Sequence, residues 1–226
     1  MKERDAPLSM YIPDQYRASN RPSVRRCLTG LEVNPKVVVF TPIRSLFSAI
    51  LPNDLANSSS GWWEAKYSSV LNVSVVLTPQ ASPIVDLLAC LEPGTNVILV
   101  GIAGALRDLD IGDIVEVSSS HVCGTKFFSS LDLKSSFKKA SIATVSSLAE
   151  TESRINELRG ICNCADMETG ILFSLSGEYH LKAASLQVIS DSVLNQPFYN
   201  TGEDAYEKSM SILTSWINTN IGNFLK

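Results

Sequence analysis

The chain has 226 residues, 45% of them hydrophobic and 19% charged, with a formal net charge of −4, which is the composition of one soluble globular domain. A chain of this length hides roughly 70–75% of the surface its unfolded form exposes, so it needs neither disulfides nor a structural metal to be stable. The longest apolar stretch, residues 97–106, falls short of the ~18–20 residues of a membrane helix, and the opening Met-Lys-Glu-Arg-Asp-Ala-Pro lacks the apolar centre of a signal peptide. The expectation is a cytoplasmic protein with no membrane partner.

Residues 1–35 carry Pro7, Pro13, Pro22 and Pro35 and read as an irregular extension with room for one short helix. It is basic: Lys2, Arg4, Arg17, Arg21, Arg25 and Arg26 against Glu3, Asp5 and Asp14 leave the head at +3 and the rest at −7. An acidic body speaks against nucleic acid as a partner. The head reads either as a solvated or packing extension, or as a segment that reaches an anionic ligand or a neighbouring subunit.

The regular domain is expected over 36–226. Residues 36–42, Lys-Val-Val-Val-Phe-Thr-Pro, are a β-branched run closed by proline, the pattern of a buried strand, and 44–51 follow at helical spacing. After an Asn/Ser-rich loop at 55–60 and the Gly61-Trp62-Trp63 turn, 70–77 form a second strand region. A helix over 83–91 is stopped by Pro93-Gly94, and a buried strand over 96–100 is broken by Gly101 and Gly104. A turn and strand over 109–117, a strand at 141–145 and a polar helix at 150–160 come next. They are followed by a helix at 167–175, a strand at 184–189 and an amphipathic closing helix at 206–225. The alternation predicts an α/β fold with a mixed, largely parallel sheet whose ligands sit at the carboxyl ends of strands.

Five cysteines, at 27, 90, 123, 162 and 164, are an odd number and read as reduced, buried structural thiols. The pairs Cys162-Asn-Cys164 and His121-Val-Cys123 each share a face in a strand, but neither has metal-ligand spacing, so no metal is expected. His121 and His180 read as structural, with His121 at a strand end and therefore also able to face a pocket.

Three features stand at strand ends. Val100-Gly-Ile-Ala-Gly-Ala-Leu106 with Ile111-Gly-Asp-Ile-Val115 lets a backbone approach a ligand closely at Ala103 and Gly104. Ala165-Asp-Met-Glu-Thr-Gly170 puts two carboxylates around a methionine at the start of an apolar helix. Val188-Ile-Ser-Asp-Ser-Val193 puts an acid between hydroxyls directly after a strand. Taken singly, the glycines read as turns, Asp166 and Asp191 as helix caps and Glu168 as a first-turn partner of the helix dipole.

In this order, with Ala143-Thr-Val-Ser-Ser147 and Glu150-Thr-Glu152 between them, these motifs resemble the nucleoside phosphorylase/nucleosidase superfamily over residues 36–226. The resemblance implies a central mixed β-sheet with barrel character surrounded by helices, a small-molecule nucleoside or nucleotide substrate, no cofactor, and assembly as a homo-oligomer, dimer or hexamer. It implies Asp191 as the general acid, with Ser190 beside it, and Glu168 as the carboxylate on the ribose hydroxyls. Met167 would lie against the sugar, Leu148 against the base where the family stacks an aromatic ring, and Asp166, Ala103, Gly104 and Arg44 complete the substrate-binding set.

The departures choose between reactions. Where bacterial phosphorylases place Arg and Ser on phosphate, this chain has Leu99 and Ile102, and a dianion held by hydrocarbon is prohibitively costly. Hydrolysis is the better expectation. Yet Thr41-Pro-Ile-Arg-Ser-Leu46 lacks the acid by which nucleosidases activate water, and Thr78-Pro-Gln-Ala-Ser-Pro83 replaces the glycine-rich turn usual after the preceding strand. Glu64 is a candidate base. Arg44 admits two roles, an anion ligand in a phosphorolytic or nucleotide-cleaving variant or a surface residue, and a member that binds a nucleoside without turnover stays open.

Overall fold

The protein is described from a computed structural model that covers residues 21–51, 57–81, 84–147, 151–202 and 204–225. The elements, in chain order, are α1 (Arg21–Thr29), β1 (Val37–Thr41), α2 (Arg44–Ala49), β2 (Asn57–Ser60), β3 (Glu64–Ser68), β4 (Val73–Leu77), α3 (Ile84–Ala89), β5 (Asn96–Ala105) and β6 (Ile114–Val122). They continue with β7 (Thr125–Phe128), β8 (Lys138–Thr144), α4 (Glu152–Ile161), β9 (Cys164–Asp166), α5 (Thr169–Glu178), β10 (Lys182–Ser192) and α6 (Asp204–Asn220). The expected α/β class holds, and the sheet is mixed. Strands β10, β6, β8, β9 and β5 close on themselves through a β5–β10 pairing, and β1, β4, β3 and β2 extend outward from β5.

Strand alternation decides where the core lies. Along β1, Val38 and Phe40 enter one cluster with Leu172, Phe173 and Leu175 of α5, Ile84 and Leu87 of α3, and Leu28 of α1. Val37 and Val39 enter a second with Leu46 and Phe47 of α2 and Leu213 and Ile217 of α6. Since successive side chains point to opposite faces, a β-branched run this continuous has to be covered on both, and every residue of β1 is buried.

Several expectations need correction. The strand read as ending at Val100 runs on through Gly101 and Gly104 to Ala105, for a reason that belongs to the site. Residues 57–60, read as loop, pair with 64–67, to which no element was assigned, in the β2–β3 hairpin, and β7 pairs with β6 where no strand was expected. The closing helix stops at Asn220, and Ile221–Leu225 tighten into a 3-10 turn. Cys27 and Cys123 are exposed rather than buried, while Cys90, Cys162 and Cys164 are interior, and all five are free thiols.

Within the stretch read as an extension, Leu28 and Leu31 lie in the main core cluster. Arg25 is 4% exposed and donates to the carbonyls of Cys90 and Glu32 and to Asn34 Oδ1. Among the described residues no helix is long and apolar enough to cross a membrane.

Candidate active site

The glycines of β5 belong to its neighbour. Strands β5 and β10 run parallel, with Gly101 in register with Gln187 and Gly104 in register with Asp191. A Cβ at Gly101 would stand 2.8 Å from Gln187 Oε1, and one at Gly104 would stand 2.8 Å from Val193 Cγ2 and 3.1 Å from Asp191 Oδ2. Each glycine vacates the volume that a polar side chain of β10 occupies, so the strand continues where the sequence pattern suggested a break.

A bulge between Ile189 and Asp191 makes Ser190 the extra residue of β10. The Ser190 hydroxyl donates to Asp191 Oδ1 at 2.6 Å and lies 3.4 Å from the Ala103 carbonyl. Asp191 is 7% exposed, and burial raises its pKa above the ordinary aspartate value, against the opposing hydrogen bonds from Ser190 and the Phe198 backbone N–H. It is an acid that keeps its proton to higher pH than a surface aspartate does.

Strand β9 joins the second carboxylate to the first. It pairs Ala165 with Gly104 on one side and Asp166 with Thr144 on the other, so Asp191, Gly104 and Ala165 lie side by side across β10, β5 and β9. Glu168 follows three residues later, at the start of α5, which begins at Thr169 rather than Met167. The Glu168 carboxylate caps no helix N–H. It accepts the Ala81 N–H on Oε1 at 2.6 Å and the Met167 N–H on Oε2 at 3.3 Å. Burial, and then the neighbouring charge of Asp166, raise its pKa to about 7.

Asp166 faces inward. Thr144 Oγ1 donates to its Oδ1 at 2.7 Å, and the Thr169 N–H at 2.9 Å, the Thr169 hydroxyl and, at 3.5 Å, Gln187 Nε2 converge on Oδ2. Gly170 allows this crossing of α5 over β6 and β8: a Cβ there would meet Val122 Cγ2 at 1.9 Å. Met167 is half-buried beside the pair, and Leu148 lies outside the described residues.

Arg44, at the first turn of α2, is exposed and paired with Glu64 of β3 through Nη1–Oε2 at 2.5 Å and Nη2–Oε1 at 2.7 Å. The pairing lowers the Glu64 pKa, which makes Glu64 a weaker base, and it occupies both arms of the guanidinium fork. Leu99 is fully buried and Ile102 packs against the core, so neither position expected to meet phosphate offers it more than hydrocarbon. His121 is half-buried near the end of β6, its pKa lowered by burial and by Lys126, and His180 is exposed. Among the described residues no group of three His, Cys, Asp or Glu is placed to hold a metal.

Ala81 was not legible as a site residue. The segment that replaces the glycine-rich turn still presents a backbone N–H to Glu168, with Ala81 at φ +66°, a left-handed conformation that points that N–H inward. Its only signal was position, in the loop that follows β4.

No family model matches the chain, and no curated protein matches it by sequence. Solved structures do match its fold. The 5'-methylthioadenosine/S-adenosyl homocysteine nucleosidase of Campylobacter jejuni superposes with a TM-score of 0.67 at 14% identity, covering 84% of this chain and 100% of that one. This is the nucleoside phosphorylase/nucleosidase fold. The purine nucleoside phosphorylase of Toxoplasma gondii shares that fold at a TM-score of 0.67 and 13% identity, over 85% of this chain and 92% of its own. The uridine phosphorylase of Vibrio fischeri does so at 0.63 and 17%, over 85% and 91%. On this fold the closed ring formed by β5, β6, β8, β9 and β10 carries Asp191 on β10 and Asp166 on β9, with Glu168 just beyond β9.

Proposed function

We propose that the chain cleaves the N-glycosidic bond of a purine-like nucleoside or nucleotide by hydrolysis. The observation that carries this reading is Asp191: an acid buried at the end of β10, held by one hydroxyl and one backbone N–H, with its pKa raised. Breaking C1′–N9 leaves negative charge on the base and an oxocarbenium-like sugar. Asp191 gives its proton to N7 as the C1′–N9 pair moves onto the base, and the carboxylate it leaves is reprotonated by the proton of the water whose hydroxyl adds to C1′. Glu168, supported by Ala81 and Met167, accepts hydrogen bonds from the ribose hydroxyls and places its negative charge under the developing cation.

Hydrolysis is preferred to phosphorolysis because Leu99 and Ile102 offer phosphate no donor side chain and Glu64 already occupies Arg44. That same ion pair favours a second reading, a nucleoside-binding protein without turnover, since Glu64 is held as an ion-pair partner rather than as a free base. The fold likeness to a nucleosidase and to two phosphorylases supports the reaction class.

Incubation with a panel of purine nucleosides and nucleotides, with and without phosphate, and chromatography for free base separates the readings. Base release independent of phosphate is the expected result. A strict phosphate requirement overturns hydrolysis, and saturable binding without release establishes the second reading.

A further inference from the structure

Asp166 sits among groups that can all donate hydrogen bonds to it. Its partners are the Thr144 hydroxyl, the Thr169 hydroxyl and N–H, the Glu168 N–H and the Gln187 amide, all donors. When Asp166 is ionised, the network behind them has one direction. The Thr169 hydroxyl spends its hydrogen on Asp166, so it must accept from Ser185 Oγ at 3.0 Å, and Ser185 in turn accepts from Gln187 Nε2 at 2.9 Å. Thr144 likewise gives its hydrogen to Asp166 and accepts from the Gly170 N–H at 2.7 Å and from Ser120 Oγ at 3.1 Å. Strands β6, β8 and β10 and helix α5 thus all direct hydrogens at one carboxyl group, 6% exposed, two residues before Glu168.

We propose that Asp166 is a positioning residue rather than a substrate ligand: it stays ionised in the interior, fixes the turn that presents Glu168, and keeps a negative charge beside it. Donors on both oxygens favour the charged form, while burial opposes it and pushes the Asp166 pKa up. The Thr169 and Glu168 N–H groups can only donate, and they favour the carboxylate against that cost.

Glu168 meets the Asp166 charge and the Met167 N–H from its own turn, and the uncharged Ala81 N–H from the loop after β4. Among the described residues, Asp166 is the charged side chain that acts on it. Two carboxylates that act on each other by charge do not ionise independently, and the better solvated by donors ionises first. Resting on the reading of Glu168 as the ribose carboxylate, the consequence is a nucleoside site whose charge changes close to neutral pH.

The test is a carboxyl-carbon NMR titration of the ligand-free, full-length protein with isotope-labelled Asp and Glu, using Glu168→Gln and Asp166→Asn to assign the two resonances. Asp166 is expected to ionise below Glu168, and Asp166→Asn to move the Glu168 midpoint down by about one pH unit or more. An Asp166 that keeps its proton through the Glu168 transition, or a Glu168 midpoint unmoved in Asp166→Asn, overturns the proposal. If Asp166→Asn does not fold, the order of the two transitions in the unsubstituted protein still decides. No substrate enters this measurement, so failure of nucleoside cleavage and failure of the Asp166 assignment are read separately.

Discussion

Gly104 makes room for Asp191. The two residues are in register across β5 and β10, and the volume a methyl group would need at Gly104 is taken by the Asp191 carboxyl and the Val193 side chain, at 3.1 and 2.8 Å. Gly104→Ala is therefore expected to displace the acid by a few tenths of an ångström at least, with a packing cost of about 1–3 kcal/mol. Because reacting groups tolerate little misplacement, the rate of base release should fall by about 100-fold while thermal unfolding shifts only modestly. Equal rates in the two proteins would separate Gly104 from the acid.

Ser190 tunes the same acid with a known sign. Its hydroxyl donates to Asp191 and so favours the ionised form. Ser190→Ala removes that donor, and the Asp191 pKa should rise further. The alkaline limb of the pH–rate profile, where the proton is lost, is expected to move to higher pH; a shift to lower pH contradicts the assignment.

Glu168 makes the folded protein sensitive to pH. Its pKa is about 7 in the fold against an ordinary value of 4.5, so the native state holds a proton that the unfolded chain has lost over that interval. Stability therefore falls as pH rises from 4.5 toward 7, and the deficit is complete above it, amounting to about 3 kcal/mol at 1.36 kcal/mol per unit. Glu168→Gln lacks the titration. Its stability relative to the unsubstituted protein, read by denaturant unfolding, should be near constant below the lower value, rise between the two and level off above pH 7.

Strand β3 grips α2 at both ends, and the two grips differ. Lys66 is buried and donates to the Ser48 and Ile50 carbonyls at 3.2 and 2.7 Å, with its ammonium 4.8 Å from the Phe47 ring centre. Those carbonyls close the helix, and burial lowers the Lys66 pKa. Lys66→Met is expected to cost about 1–3 kcal/mol by leaving buried carbonyls without a donor. Arg44→Ala breaks a solvated pair and should change the unfolding temperature little.

Much of the fold was written in local patterns. The β-branched run at 37–41 and the apolar helices α3 and α5 declare their burial because both faces of the sheet are covered. The β2–β3 hairpin does not, since Asn57-Ser-Ser-Ser60 has no apolar alternation and β3 hides a lysine whose reason, the carbonyls of α2, lies in another element. The glycines of β5 misled for a similar reason: what they accommodate is on β10, more than eighty residues away. Within the site, Asp191, Glu168 and Ser190 were visible as motif residues. Ala81, Phe198, Thr144 and Gln187 act through backbone N–H groups or network geometry and carry no pattern of their own. Residue type also left Asp166 ambiguous, and its partners Thr144 and Gln187 come from two other strands that its own motif does not announce.

The central claim is that Asp191 protonates the departing base. Single-turnover release of free base from a purine nucleoside by the unsubstituted protein and by Asp191→Asn, in phosphate-free buffer, tests it most directly. The account predicts measurable release by the former and a rate at least about 100-fold lower in the variant, at comparable nucleoside affinity. Equal release by the two proteins would contradict it.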